Sequence, residues 1–295
     1  MTQHSPAHAG ERPRLPLLMG GGRALRLPLL LLITGLLSCS IREERQLCPC
    51  LLSLRLQKDC GLSGSRQMDL CLYSEAGGIL LDQEGLMLND LRGDGLPAIE
   101  VPKGIVRAGG VIGLRSGRRH DGGDHISIPA GLPSDSLYFV SGTTDASGET
   151  AVIPVRVRKE FAAIEISFVL TEGTDKPAEC PYFLYLRSYT AGLDLRDGTP
   201  LPGRFHCLPE EYSPGHFRSI LPRQRTPEDL VLEVREKEDT HQLLDEIQLN
   251  AYLPEDFSWQ DEDLKDIRLR IDYAHARLEI SVGNWTVGDI YEYTI

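Results

Sequence analysis

His120, Asp121, Asp124 and His125 form the one short cluster whose side chains could hold a divalent cation. Imidazole nitrogens and carboxylate oxygens are common ligands, and close spacing could converge them on one ion. Gly122 and Gly123 separate the two pairs, however, and glycines in a polar stretch favour a solvated turn over a fixed cage. The run reads as a turn, and no metal is expected there. Asp194-Leu195-Arg196-Asp197-Gly198 has the outline of a calcium loop, but it lacks the closing glutamate and carries an arginine in a ligand position. A hairpin turn is expected instead. Asp261-Glu262-Asp263 gathers carboxylates without any spacing that would set an acid against a base. No nucleophile elbow, phosphate loop or dinucleotide fingerprint occurs. Neither enzymatic chemistry nor a cofactor is expected.

The cysteine chemistry is more informative. Leu27 to Leu37 is a short apolar run behind Arg23 and Arg26, too short for the ~20 residues of a spanning helix but suited to a signal-peptide core. It leads into Leu36-Leu37-Ser38-Cys39, which resembles the bacterial lipobox, where cleavage precedes a cysteine that carries lipid. Lipidation of Cys39 is expected, with the chain anchored at the outer membrane by its acyl groups, facing the surface. Translation could start at Met1 or at Met19. Of the remaining cysteines, Cys180 and Cys207 flank a hairpin-like stretch and form the expected disulfide, although Cys48, Cys50, Cys60 and Cys71 leave other pairings open.

The elements that must carry these residues are strands. Leu52, Leu54 and Leu56 alternate with polar neighbours, as do Met68, Leu70 and Leu72, and Ile164, Ile166 and Phe168. Leu230, Leu232 and Val234 repeat the pattern. So do Ile267, Leu269, Ile271 and Tyr273, and then Leu278, Ile280 and Val282. Period two places one face on a core and the other in water. A single short helical turn is expected from Trp259 to Leu264, capped by Ser258. Many short strands with glycine turns, and no alternation with helices, give an all-β chain of antiparallel sandwiches. The expected organisation is a signal peptide (1–38), a lipidated tether (39–49), and sandwiches over 50–158 and 159–295. Trp259 and Trp285 are expected in core or inter-sheet space. Pro222 suits the edge of a sheet.

The formal net charge is -12, and removing the first 38 residues, which carry four arginines and one glutamate, leaves about -15. That balance argues against nucleic acid as a partner, since phosphates would go unneutralised.

Several C-terminal segments occur in a recognisable order: Ile220-Leu221-Pro222-Arg223-Gln224, Leu253-Pro254-Glu255-Asp256-Phe257-Ser258-Trp259, Asp263-Leu264-Lys265-Asp266-Ile267, Ile271-Asp272-Tyr273-Ala274 and Asn284-Trp285. Together with Glu43-Glu44 and Cys48-Pro49 behind the lipid cysteine, they resemble the FimB-type family of fimbrial anchor and minor subunit lipoproteins of Bacteroidota. The resemblance implies tandem transthyretin-like sandwiches and a non-enzymatic role at a fimbria, as anchor, cap or minor subunit. Its implied partners are pilin subunits, joined by β-strand complementation, in which a strand of one subunit completes a sheet of the next. Val287 to Ile295 is the candidate joining strand, and a plain terminal edge strand is the alternative. Two other readings remain open. One is a surface carbohydrate-binding lipoprotein of a glycan-uptake system. The other is a fimbrial tip adhesin recognising its target through Arg115–Asp124 or Asp194–Gly215.

Overall fold

The computed structural model describes residues 48–57, 62, 66–91, 98–115, 124–169, 180–238, 242–272, 277–283 and 289–294. Among these residues the chain forms strands and three short 3-10 turns, without an α-helix. The first half holds β1 (Cys50–Leu56), β2 (Gln67–Ser74), β3 (Ile79–Met87), β4 (Ile99–Val101), β5 (Ile105–Ile112), β6 (His125–Ser127), β7 (Tyr138–Asp145) and β8 (Thr150–Lys159). The second holds β9 (Phe161–Phe168), β10 (Tyr182–Asp194), β11 (Pro200–Cys207), β12 (Glu210–Ser213), β13 (His216–Pro222), β14 (Val231–Glu236), β15 (Leu243–Gln248), β16 (Asp266–Asp272), β17 (Arg277–Gly283) and β18 (Asp289–Thr294).

Seven strands of the first half run in the order β3-β2-β5-β7-β8-β1-β4. β8 makes this one sheet into two layers. Its first part, from Thr150 to Val155, pairs with β1, and its last part, from Arg156 to Lys159, pairs with β7. A strand that changes partners along its length turns the corner of a sandwich. Between the layers lie Leu52 and Leu54, Met68, Leu70 and Leu72, and Val140, Ile153 and Val155, all in one buried cluster. Each such side chain contributes about 1.5–3 kcal/mol by leaving water.

In the second half, β12-β13-β9-β16-β17-β18 forms one sheet and β11-β10-β14-β15, with β6 alongside β10, forms another. Ile164, Ile166 and Phe168 on β9, Leu184 and Leu186 on β10, Ile267, Leu269 and Ile271 on β16, and Leu278 and Ile280 on β17 share the core between them. The described apolar members of these alternations therefore face inward. Pairings are antiparallel except β1 with β8 and β9 with β16, which are parallel. The chain leaves the first core at Glu160, between β8 and β9. The sheets do not divide cleanly there, because β6 precedes that point yet pairs with β10 through Ser127–Gly192 and Ile126–Leu193.

Two expectations need correction. Trp259 to Leu264 is a series of turns without helix, although Ser258 Oγ does accept the Gln260 N–H at 3.1 Å. Trp259 itself is buried in the second core, edge-on to Phe257 at 5.1 Å, so core packing fixes the segment and no helix is needed. Cys180 and Cys207 are free thiols. Cys207 is opposite Leu186 on β10, six positions beyond Cys180 along the same extended run, or roughly 20 Å at strand rise. A disulfide needs its Cα atoms within about 7 Å. Burial pushes the Cys207 thiol up to about 11, and its Sγ lies 3.3 Å from Ser219 Oγ.

The segments that carry the resemblance meet where the chain passes between cores. Arg223 is buried, and its Nε donates to Glu160 Oε2 at 2.9 Å. Its Nη2 donates to the carbonyls of Lys159 at 2.5 Å and Asp261 at 2.9 Å, while Nη1 reaches the carbonyl of Trp259. Arg158 Nε holds the other Glu160 oxygen at 2.5 Å, and Lys159 Nζ pairs with Asp266 at 2.7 Å. A planar fork of five donors suits such a junction, since it can bind several acceptors in fixed directions. Pro222, just before it, lies where β13 has run past the end of β12, so its missing N–H leaves no neighbour unpaired. Tyr273 and Trp285 lie outside the described residues.

Candidate functional site

A β-protein that joins others by strand addition must present an edge whose backbone groups are open and whose side chains do not repel a partner. Seven of the described strands pair with a single neighbour, and five of these are short or guarded. β3 carries Asp82, Gln83 and Glu84 in its middle, all exposed. β4 and β6 have only three residues each. β11 holds Pro200 and Pro202, which cannot donate. β12 starts with Glu210 and Glu211, and Arg218 Nε pairs with Glu210 at 3.0 Å.

The other two, β15 and β18, are six residues long and hold no proline. β15 reads Leu-Leu-Asp-Glu-Ile-Gln, pairs with β14, and exposes Leu243 and Leu244 by 42% and 44%. β18 reads Asp-Ile-Tyr-Glu-Tyr-Thr and pairs with β17 from Val282–Asp289 to Arg277–Thr294. Asp289–Thr294 of the sequence-predicted joining segment thus form a terminal strand of the described sheet, paired on one side with β17, and the rest of the segment lies outside the described residues. An edge open on one side can accept an added strand, and a terminal strand can also leave its sheet to complete another.

Of the other residues singled out from sequence, Cys39, His120 and Asp121 lie outside the described residues. Asp124 forms an ion pair with Arg196 and lies 3.7 Å from His125 Nδ1. Arg115 pairs with Asp135 at 3.1 Å, and the stretch after it is outside the described residues. Asp194 to Gly215 is largely strand and not one long loop. It folds into the β10–β11 hairpin, then β12 and the turn into β13, because its apolar residues Phe205 and Cys207 alternate inward. Asp194 Oδ1 accepts the Arg196 N–H and Asp197 Oδ1 the Thr199 N–H, each at 2.8 Å, so the expected hairpin turn is present.

That turn builds a feature the sequence reading missed. Leu195 is fully buried against the outer face of the first sheet, in a small cluster with Tyr73, Val111, Phe139 and Leu193. Gly109 makes room for it. A Cβ at that position would lie 1.8 Å from the Leu195 carbonyl oxygen. Beside this contact lies a cavity of about 330 Å³ lined by Arg107, Arg156 and Arg196 with Gln57, Ser141 and Thr143, and with no carboxylate among the described residues. The register explains the grouping, with Arg107 opposite Thr143 on β5 and β7, and Ser141 opposite Arg156 on β7 and β8. Gln57 Oε1 accepts from Arg156 Nε at 2.8 Å. Val155-Arg156-Val157-Arg158 alternates visibly in the sequence, yet nothing local says that Arg156 shares a cleft with Arg107, with β7 between them.

No family model and no curated protein matches this sequence. Solved structures do match the fold. A candidate polysaccharide-binding protein from Bacteroides thetaiotaomicron aligns over 83% of this chain and 98% of its own, at TM-score 0.61 and 15% identity. A candidate adhesin from Bacteroides ovatus aligns over 85% and 97%, at 0.57 and 13%. The fimbrial anchor protein Mfa2 from Porphyromonas gingivalis aligns over 79% and 97%, at 0.54 and 11%. What this chain shares with them at such identities is the fold.

Proposed function

We propose that this chain is a non-enzymatic accessory protein of a fimbria, held at the outer membrane by lipid on Cys39 and joined to pilin subunits by strand addition. In this reading residues 1–38 are a signal peptide and 39–49 a tether, followed by sandwich domains over 50–158 and 159–295. The observation that carries it is a fold shared with a fimbrial anchor protein along almost all of that anchor. The terminal position of β18 supports it, because an anchor or cap needs one surface that can exchange strands.

The test is a pulldown from outer-membrane extracts with native protein and with Cys39→Ala, identifying co-purified proteins by mass spectrometry. Pilin subunits should be recovered, and fibres should be shed into the medium when Cys39 is replaced. Deleting 291–295 should abolish pilin recovery while the protein stays folded. If pilin recovery survives the deletion, strand addition through β18 is wrong.

The alternative is a surface carbohydrate-binding lipoprotein, favoured by the fold shared with a candidate polysaccharide-binding protein. Recovery of glycan-uptake components with fibres unaffected would select it. A tip adhesin would instead appear in shed fibres of native protein.

A further inference from the structure

We infer that the arginine-lined cleft beside the β10–β11 turn binds an acidic saccharide, a sugar carrying carboxylate or sulfate groups. The chain as a whole carries -12, yet this cavity gathers three guanidinium groups and no acid. Like charges packed around one cavity repel, and a cleft walled by one sign of charge concentrates counter-ions of the other. Arg196 is paired with Asp124, while Arg156 meets only the neutral Gln57 through its Nε. Among the described residues, the outer nitrogens of Arg156 and all of Arg107 are left to face an anion. Planar guanidinium forks bind carboxylate and sulfate oxygens in pairs.

The cleft is built in advance. Arg107, Ser141, Thr143 and Arg156 stand on paired interior strands. Arg196 comes from a turn fixed by Asp194, by a 2.7 Å bond from the Leu195 N–H to the Asp124 carbonyl, and by burial of Leu195 over Gly109. About 330 Å³ is within the range of small-ligand pockets.

The neutral lining chooses among anions. Two hydroxyls and a carboxamide match the hydroxyl groups of a sugar ring. An extended acidic peptide would need open main-chain groups, but β5 and β7 are already paired on both sides. A nucleic acid would need rings to stack on, and the lining has none. The inference stands independently of a role in a fimbria, since the cleft lies on a sheet face and not on an open edge.

Calorimetric titration of the full chain tests it, with oligogalacturonate as the carboxylate probe and a heparin-derived oligosaccharide as the sulfate probe. At least one should bind, and which one does identifies the acid group. Arg107→Ala and Arg156→Ala should each weaken it by about tenfold, the effect of losing a charge-assisted hydrogen bond. Arg107→Lys, which keeps the charge without the fork, should fall between. Arg204→Ala, which removes an exposed arginine on β11 outside the cleft, should bind as the native chain does. The inference is overturned if neither oligosaccharide binds, if Arg204→Ala weakens binding as much as Arg107→Ala, or if inorganic sulfate, dextran or polyglutamate binds as tightly.

Discussion

Arg223 and Glu160 show how a charged residue can be structural. Both are almost fully buried, and together they bind the passage between cores to the Trp259–Asp261 turn. Arg223→Ala would strand a buried carboxylate and several carbonyls, a class of loss worth about 3–5 kcal/mol. Because Arg158 still holds Glu160, the lower end is expected, measured as a shift in urea unfolding. Burial raises the Glu160 carboxyl above its ordinary value, although Arg223 and Arg158 pull it down. A carboxyl raised in the folded state contributes stability in full below its unfolded value, and loses it as pH rises through the folded one. The stability difference between native protein and Glu160→Gln should therefore be most favourable to native protein at acid pH and decline upward. The opposite slope would mean that the arginines outweigh burial. The Leu221-Pro222-Arg223-Gln224 segment stood out in the sequence, but an arginine among polar residues reads as surface. Its partner lies 63 positions away, and only the fold joins them.

At the scale of elements, period-two alternation located six strands, while longer ones such as β8 and β10 went unread. β1, β2, β9, β14, β16 and β17 were legible for that reason. β4 and β6, with three residues each, were not, since three residues cannot establish a pattern. Pairing was also hidden. Nothing in the local sequence announces that β1 and β8 run parallel, or that β6 crosses to β10. The arginine cleft shares this invisibility, because it depends on a turn docking onto a sheet far from it in sequence. Gly109 is the hinge of that docking. Gly109→Ala should cost about 1–3 kcal/mol through overpacking against the Leu195 carbonyl, and it should loosen the turn that presents Arg196. Gly148→Ala, where a Cβ would meet nothing closer than 3.4 Å, should stay within about 0.5 kcal/mol of native in the same thermal melts. Equal losses at both glycines would argue against a specific role for the turn contact.

As a whole, the molecule puts its first core strand where it is hardest to remove. β1 is not at an edge. It lies between β8 and β4, in parallel register with β8 from Leu51–Thr150 to Leu56–Val155. Tension entering the chain at Cys48 runs into a strand gripped on both sides. Drawn along its own axis, β1 can slip only if the whole row of cross-strand bonds gives way together, as in shear. The terminal strand β18 is bonded on one side and can be peeled bond by bond. In single-molecule pulling between residue 48 and the C-terminus, the expected record is an early, low-force release of the C-terminal strand and a later, high-force rupture at β1. The end at Cys48 is thus the mechanically strong one, and the end at β18 is the compliant one.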